Sequence, residues 1–357
     1  MTIALLSWLV LTASILPWLP VAHGFVRSFD FCRLQIMALA GGLLLAAGAA
    51  AWPSTAHMLT GMVPAGAALF IQSAHVLPFT LIWRAQTVRF SGLPGSCDTL
   101  SVLSCNVKQS NRDFESVVRL LRNKAPDIAV FMEVDGEWCR ALSADFSSYP
   151  HVVTQPQNNS YGMLLLSRLP LCTQNVRFLV NKEVPSIDVE IGLPSGQTVR
   201  LIALHPEPPI PTRDTEARDA EILLVGKMAR QETKPTIVAG DLNDVAWSRT
   251  TRRFLRISRL LDPRQGRGLF NSFDARRWYL RWPLDHFFLS RHFELIEITR
   301  LPFVGSDHFP MFYRFALTAT KRNNLPETAT SKDKQEADQV VSAEMARDRK
   351  PVGEDWE

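Results

Sequence analysis

Six apolar runs in this chain end or pause on side chains that can handle a proton, an anion or a metal ion. They deliver Asn106 in SCNV, Glu133 in VFMEV, His205 in ALHPEPP, Asp241 with Asn243 in VAGDLND, Asp285 in PLDHFFLS, and Asp307 with His308 in GSDHFPM. Carboxylate and amide oxygens without clustered cysteines or paired histidines suit a hard ion such as Mg²⁺ or Mn²⁺ better than zinc. Two histidines beside them complete a kit for phosphate-ester hydrolysis: a cation for the phosphoryl charge, a carboxylate to position water, and imidazoles for charge and protons. Each signal alone also has a plain structural reading. Asn106, Asn243 and the Ser306-Asp307 pair read equally as turn residues, Glu133 and Asp285 as surface carboxylates, and His205 as the residue before a rigid Pro206 turn. The complete set in one order is what outweighs these readings.

Elements must bring such residues together. An apolar strand buries its body and exposes its tip, and strand ends are where α/β sheets gather ligands. Between Thr99 and about Phe315, short apolar runs alternate with longer amphipathic ones, which predicts an α/β domain. LSVLSCNV, DIAVFMEV, YGMLLLSRLP, TVRLIALH, PTIVAGDLND, PLDHFFLS and FVGSDHFPMFYRFAL read as strands, with the polar residues expected at their carboxyl ends. NRDFESVVRLLRNK and TEARDAEILLVGKMARQ read as helices, the first with Phe114, Val117, Val118 and Leu121 on one face.

The 357 residues are 46% hydrophobic and 21% charged, which excludes a disordered chain. The average hides a division, because from Thr2 to Trp83 the only ionised side chains are Arg27, Asp30 and Arg33. TIALLSWLVLTASILPWLPVA, LQIMALAGGLLLAAGAAAW and MLTGMVPAGAALFIQSAHVLPFTLIW predict three membrane spans, with Pro17, Pro64 and Pro78 tolerated inside them. A cleaved signal peptide fits the first span poorly, since no basic segment precedes it. His75 reads as a neutral packing residue. The expected organisation is a membrane domain over residues 1–85, a linker over 86–98, a catalytic domain over 99–318 and a disordered tail over 319–357. Arg27, Arg33, Arg84 and Arg89 flank the spans on the side that carries the catalytic domain, which predicts a cytoplasmic domain on a bacterial-type inner or plasma membrane. The five cysteines have no paired spacing and give no disulfide framework.

Taken together, SCNV, VFMEV, YGMLLLSRLP, ALHPEPP, VAGDLND, PLDHFFLS and GSDHFPM resemble the endonuclease/exonuclease/phosphatase superfamily over Thr99 to Phe315. The resemblance implies a four-layer α/β sandwich of two central sheets flanked by helices, and a divalent-metal site for Mg²⁺ or Mn²⁺. It implies Glu133 as the principal metal carboxylate, Asn106 beside it, and Asp307 as a further metal or water ligand. Asp241 would orient or deprotonate water, and Asn243 would hold the phosphate or that water. His308 would be the catalytic imidazole, oriented by Asp285, and His205 the second histidine at a phosphoryl oxygen. In some family nucleases a carboxylate supports that second histidine, and Asp188 and Glu190 are both open to the role. Tyr161 in NNSYG is a candidate phosphate contact.

The substrate class stays open between lipid headgroups, small phosphodiesters and nucleic acid. Arg249, Arg252, Arg253, Arg256, Arg259, Arg264 and Arg267, then Arg276, Arg277, Arg281 and Arg291, run interleaved with Trp278, Tyr279 and Trp282. Such a patch suits nucleic acid, anionic lipid or simply a solvated helix face. A membrane-anchored phosphoesterase is the primary reading and a membrane-anchored nuclease its neighbour. A catalytically silent scaffold is the reading of another class, and the intact residue set weighs against it.

Overall fold

The computed structural model describes residues 2–50, 55–93, 95–318 and 323–353. In the catalytic part, two sheets pack face to face because their central strands are apolar on both sides and bury both. The first holds β1 (Thr99–Asn106), β2 (Ile128–Met132), β3 (His151–Gln155), β4 (Met163–Ser167), β10 (Phe293–Arg300) and β11 (Met311–Leu317), in the order β10-β11-β1-β2-β4-β3. The second holds β5 (Leu171–Arg177), β6 (Ser186–Gly192), β7 (Thr198–Leu204), β8 (Thr236–Asp241) and β9 (Asp285–Leu289), in sequence order.

Alternation along each strand divides the side chains between two cores. Val102, Val130 and Leu165 from one sheet meet Leu201, Ile237 and Phe287 from the other between the sheets. Leu103, Phe131 and Leu164 point outward under α5 (Phe114–Lys124) and α6 (Gly136–Ser143). Ile202, Val238 and Phe288 do the same under α7 (Glu216–Gln231) and α8 (Arg249–Ser258). The expected four-layer α/β sandwich is therefore what the chain forms. β1 and β2 run parallel around α5, and β7 and β8 run parallel around α7. Gly240 is required where β8 lies close to β7. Its φ is +134°, and a Cβ would come within 2.0 Å of the Leu204 carbonyl oxygen.

The apolar N-terminal part differs from three full spans. Among the described residues, two helices are long and apolar enough to cross a bilayer, over Arg33–Ala50 and Leu59–Phe79. They correspond to α3 (Arg33–Ala50) and to most of α4 (Thr55–Val76) with the turn that follows it. The first expected span forms only the 14-residue α1 (Thr2–Ile15), short of the roughly 20 residues a bilayer needs. Pro17 lies in a separate turn over Leu16–Trp18, and proline can neither donate to the preceding turn nor fit inside it. Pro64, by contrast, is carried within α4.

These helices stand on the catalytic domain at one level. Gln72 joins Ser14 and Arg33 in a buried network, and Arg33 pairs with Asp30. Beside it α2 (Gly24–Phe31) docks on the sandwich. Gly24 N–H donates to Arg213 O at 2.8 Å, and a Cβ there would overlap the Ile210 carbonyl. Trp247 Nε1 donates to Asp30 O at 2.7 Å, within an apolar contact that includes Phe79, Phe31 and Trp282.

The tail also departs from expectation, because its described part is ordered. Helix α9 (Ser331–Met345) starts at a capping box between Thr330 and Asp333. It buries Ala337 and Val341 against Leu223 and Ile257. Asp333 pairs with Arg256 at 2.7 Å, and Glu336 pairs with Arg249 and Arg253. The composition is polar enough to read as disorder, but its few apolar residues and its charges match the face of α7 and α8.

Candidate active site

All six polar groups meet at one end of the two sheets. Asn106 closes β1, Glu133 follows β2, His205 follows β7, and Asp241 closes β8. Asp285 and His308 arrive differently from the expected carboxyl ends. Asp285 opens β9 opposite Asp241, and Asp307 and His308 precede β11. Both strands run antiparallel to their neighbours, so their beginnings share the end where β8 and β1 finish. Glu133 and Asn243 hold φ of 60° and 51°, a left-handed conformation uncommon outside glycine that is concentrated here at the site.

His308 Nδ1 lies 2.8 Å from Asp285 Oδ2, and His308 Nε2 lies 3.3 Å from Asp241 Oδ2. His205 Nε2 approaches the same Asp241 oxygen at 3.9 Å. Asn106 Nδ2 donates to Glu133 Oε1 at 2.8 Å and to Asp241 Oδ2 at 3.1 Å, joining the two sheets. Ser306 Oγ donates to Asn106 O at 2.7 Å and accepts from His308 N–H, which fixes the histidine loop to β1. The Ser-Asp turn chemistry is thus real, and it serves to aim His308.

Electrostatics divides the two histidines. Burial works against the His308 imidazolium, but Asp241, Asp285 and Asp307 outweigh it and push its pKa up to about 10. Burial pushes His205 down, and its Nδ1 is buried without a hydrogen-bond partner. One imidazole is therefore a cation near neutral pH and the other is neutral, the separation that acid–base and charge-stabilising roles require. Burial raises Asp241 and Glu133, whereas His308 and Lys108 hold Asp307 below its ordinary value against burial.

Asn243 donates one amide N–H to Pro206 O at 2.9 Å while lining the cavity. Tyr161 also lines it, but its hydroxyl donates to Val352 O of the C-terminal segment. Neither Asp188 nor Glu190 supports His205, since Asp188 pairs with Arg177 and Arg200 and Glu190 with Lys234. Of the arginines, Arg249, Arg253 and Arg256 are occupied by α9, and Arg264 is buried against Asp262. His75 Nδ1 pairs with the Ile71 carbonyl within α4, the packing role expected of it.

The cavity over this cluster measures about 830 Å³. Sequence reasoning missed several of its walls. Lys108 Nζ pairs with Asp307 at 2.5 Å, and Gln109 N–H donates to Glu133 Oε2 at 3.1 Å. Their nearness to Asn106 in SCNVKQ was the available signal. Ser28, Phe31 and Cys32 from the helical part, Phe273, Trp282 and Leu284 from a long loop, and Val352 and Gly353 from the tail complete the lining. Apart from Trp282, which belongs to the run of arginines and aromatics, no local pattern marks them.

Glu133 fits a hard cation, since this half-buried carboxylate has an amide and a backbone N–H as its partners and its charge is disfavoured by desolvation. Among the described residues, the group with ligand-like spacing is instead Asp214, Glu216 and Glu344, but Arg347 pairs with all three and none lines the cavity.

A sandwich of two mixed sheets with His–Asp, Asn–Glu and Asp–Asn groups at one end defines an enzyme of the phosphoester-hydrolase class. Residues 103–308, more than half of the chain, match the Endonuclease/Exonuclease/phosphatase family, and the protein belongs to that family. Solved structures agree on the fold. An endonuclease/exonuclease/phosphatase from Beutenbergia cavernae is 18% identical, with a TM-score of 0.50 over 62% of this chain and 72% of that one. A family protein from Bacteroides thetaiotaomicron is 17% identical, with a TM-score of 0.50 over 63% and 100%. D. rerio TDP2, complexed with a single-strand DNA product, is 16% identical, with a TM-score of 0.51 over 61% and 99%. No curated protein sequence matches the chain significantly.

Proposed function

We propose that the protein is a membrane-associated, divalent-metal-dependent phosphoesterase in which water attacks phosphorus in line with the leaving alcohol. The observation that carries this reading is the Asp285–His308–Asp241 chain, 2.8 and 3.3 Å across, beside the Asn106–Glu133 pair. Glu133, with Asn106 and Asp307, would hold Mg²⁺ or Mn²⁺, which supplies charge neutralisation at the phosphoryl oxygens. Asp241 orients the attacking water and accepts its proton as the new P–O bond forms. His308, kept cationic by Asp285, donates Nε2–H to a phosphoryl oxygen as negative charge grows there. The P–O bond to the alcohol breaks, and the alkoxide is protonated from solvent. His205 adds a second ring N–H, and Asn243 its remaining amide hydrogen.

The apolar α3 and α4 support membrane association. Arg27 and Arg33 flank Asp30 in the segment that contacts the catalytic domain through Gly24–Arg213 and Asp30–Trp247, which favours a cytoplasmic placement. The nuclease reading loses support from α9, which takes up three arginines of its expected basic face. The test is hydrolysis of bis-p-nitrophenyl phosphate by the full chain in detergent, titrated with Mg²⁺, Mn²⁺ and EDTA, for wild type and Glu133→Gln. Turnover that EDTA abolishes, and a Glu133→Gln protein that needs far more metal, is expected. Turnover indifferent to both would overturn the metal-dependent reading.

A further inference from the structure

The cavity has two unlike sides. Its floor is the polar cluster, while Phe31 and Cys32 from the helical part, with Phe273, Trp282 and Leu284, form an apolar wall. A site for a small hydrophilic phosphoester has no need of a wall supplied by the apolar N-terminal helices. The position of that wall is informative. Ser14, Arg33 and Gln72 join α1, α3 and α4 at one level, and Cys32 immediately precedes α3. The cavity lining therefore reaches the end of the apolar helices that meets the sandwich.

A second, separate feature lies at the same height. Gln35, in the first turn of α3, donates to Tyr279 O at 2.8 Å, which ties the 274–281 loop to the start of the span. On that loop Trp278 is 80% exposed and Tyr279 57% exposed, with Arg276 and Arg277 exposed beside them. Tryptophan and tyrosine next to a span end belong at headgroup level, and arginines there meet lipid phosphates. In water such aromatic exposure would be unfavourable.

We propose that the substrate is an amphiphilic phosphoester of the bilayer, a lipid whose phosphate reaches His308 and Asp241 while the first part of its chain lies on Phe31, Trp282 and Leu284. This inference rests on the phosphoesterase reading and names its substrate class. The cavity volume is within the roughly 300–1,000 Å³ of small-ligand sites, enough for a headgroup and the start of a chain but not for the whole lipid. The remainder of the chain stays in the bilayer, so the lipid need not leave the membrane. The reaction is the hydrolysis already described, with water as the co-reactant.

The test uses the full chain with phosphatidic acid, phosphatidylglycerol and phosphatidylinositol, each as the hexanoyl lipid and as its deacylated glycerophosphoester, at equal concentration in the same detergent. Bis-p-nitrophenyl phosphate is assayed in parallel. At least one headgroup is expected to show a preference of about tenfold or more in kcat/KM for the acylated form, the effect of burying about two methylenes on the wall. Phe31→Ala is expected to reduce that ratio several-fold. Trp278→Ser/Tyr279→Ser, on exposed positions, is expected to slow hydrolysis of lipid in vesicles more than of the same lipid in micelles. Metal-dependent hydrolysis of bis-p-nitrophenyl phosphate with no lipid hydrolysed, or with no preference for the acylated forms, would overturn this inference and leave the phosphoesterase reading standing. Silence on every substrate would overturn both.

Discussion

The two sides of the candidate active-site cavity were built by different parts of the chain under different rules. The floor comes from strand ends of one continuous sandwich, where register and hydrogen bonds hold Asp241, Asp285, Asn106 and His308 within about a hydrogen bond of one another. The outer wall comes from α2, the 273–284 loop and the tail, which reach the cavity from parts of the chain outside the sheets. Chemistry is thus fixed by the sandwich, and access is set by appended segments that need no catalytic side chain. Variants on the floor should remove turnover, and variants on the wall should redirect or retune it.

The largest effect is expected at Asp241, which touches His308, His205 and Asn106 together. Asp241→Ala should lower kcat by about three orders of magnitude or more while leaving a folded protein by circular dichroism. A wall variant with a loss of that size would erase the division between the two sides. Asp285→Asn comes next. It removes one of the carboxylates that hold His308 cationic, so kcat should fall about 100-fold and the alkaline limb of the pH–rate profile should move to lower pH. An unmoved limb would mean that His308 does not act as the cation.

The smallest effect concerns the tail. Thr330→Ala removes the cap of α9 and should cost about 1 kcal/mol of local stability, read as faster hydrogen exchange across Ser331–Met345. Acid should act on the same helix. The hydrogen bond from Arg256 to Asp333, joined by those from Thr330, holds the Asp333 carboxyl below its ordinary 3.8. Its folded value is depressed, so the stabilisation is present above the ordinary value and drains away as pH falls toward the depressed one. Protection of α9 that stayed constant as pH fell through that range would contradict this pairing.

The floor was legible in the sequence because each residue sits at the edge of an apolar strand, and strand periodicity survives in a single chain. Asp285 and His308 were found for that reason, although their strands deliver them from the opposite end of the segment. Tyr161 shows the boundary of such reading, since only the folded chain places the Val352 carbonyl against its hydroxyl. Phe31 and Cys32 carried no sign, within a hydrophobic segment, that they would line the cavity. Pro17 was visible, but its consequence depended on whether neighbouring turns could accommodate it, and here α1 stops before it. The segment of α9 reads in sequence as at most a transient helix, and its docking was hidden by its composition. Its partners are arginines of α8 far away in the chain, and a window of local sequence cannot see complementarity at that distance.

The central claim is that the strand-end cluster hydrolyses phosphoesters, and the most direct measurement compares wild type with His308→Ala as full chains in lipid nanodiscs. Release of p-nitrophenol from bis-p-nitrophenyl phosphate with Mn²⁺ would be followed for both, with folding checked by thermal melting. The account expects metal-dependent turnover by the wild type and a loss of about two to four orders of magnitude in a His308→Ala protein that melts normally. A His308→Ala protein that turns over within a few-fold of wild type would contradict it.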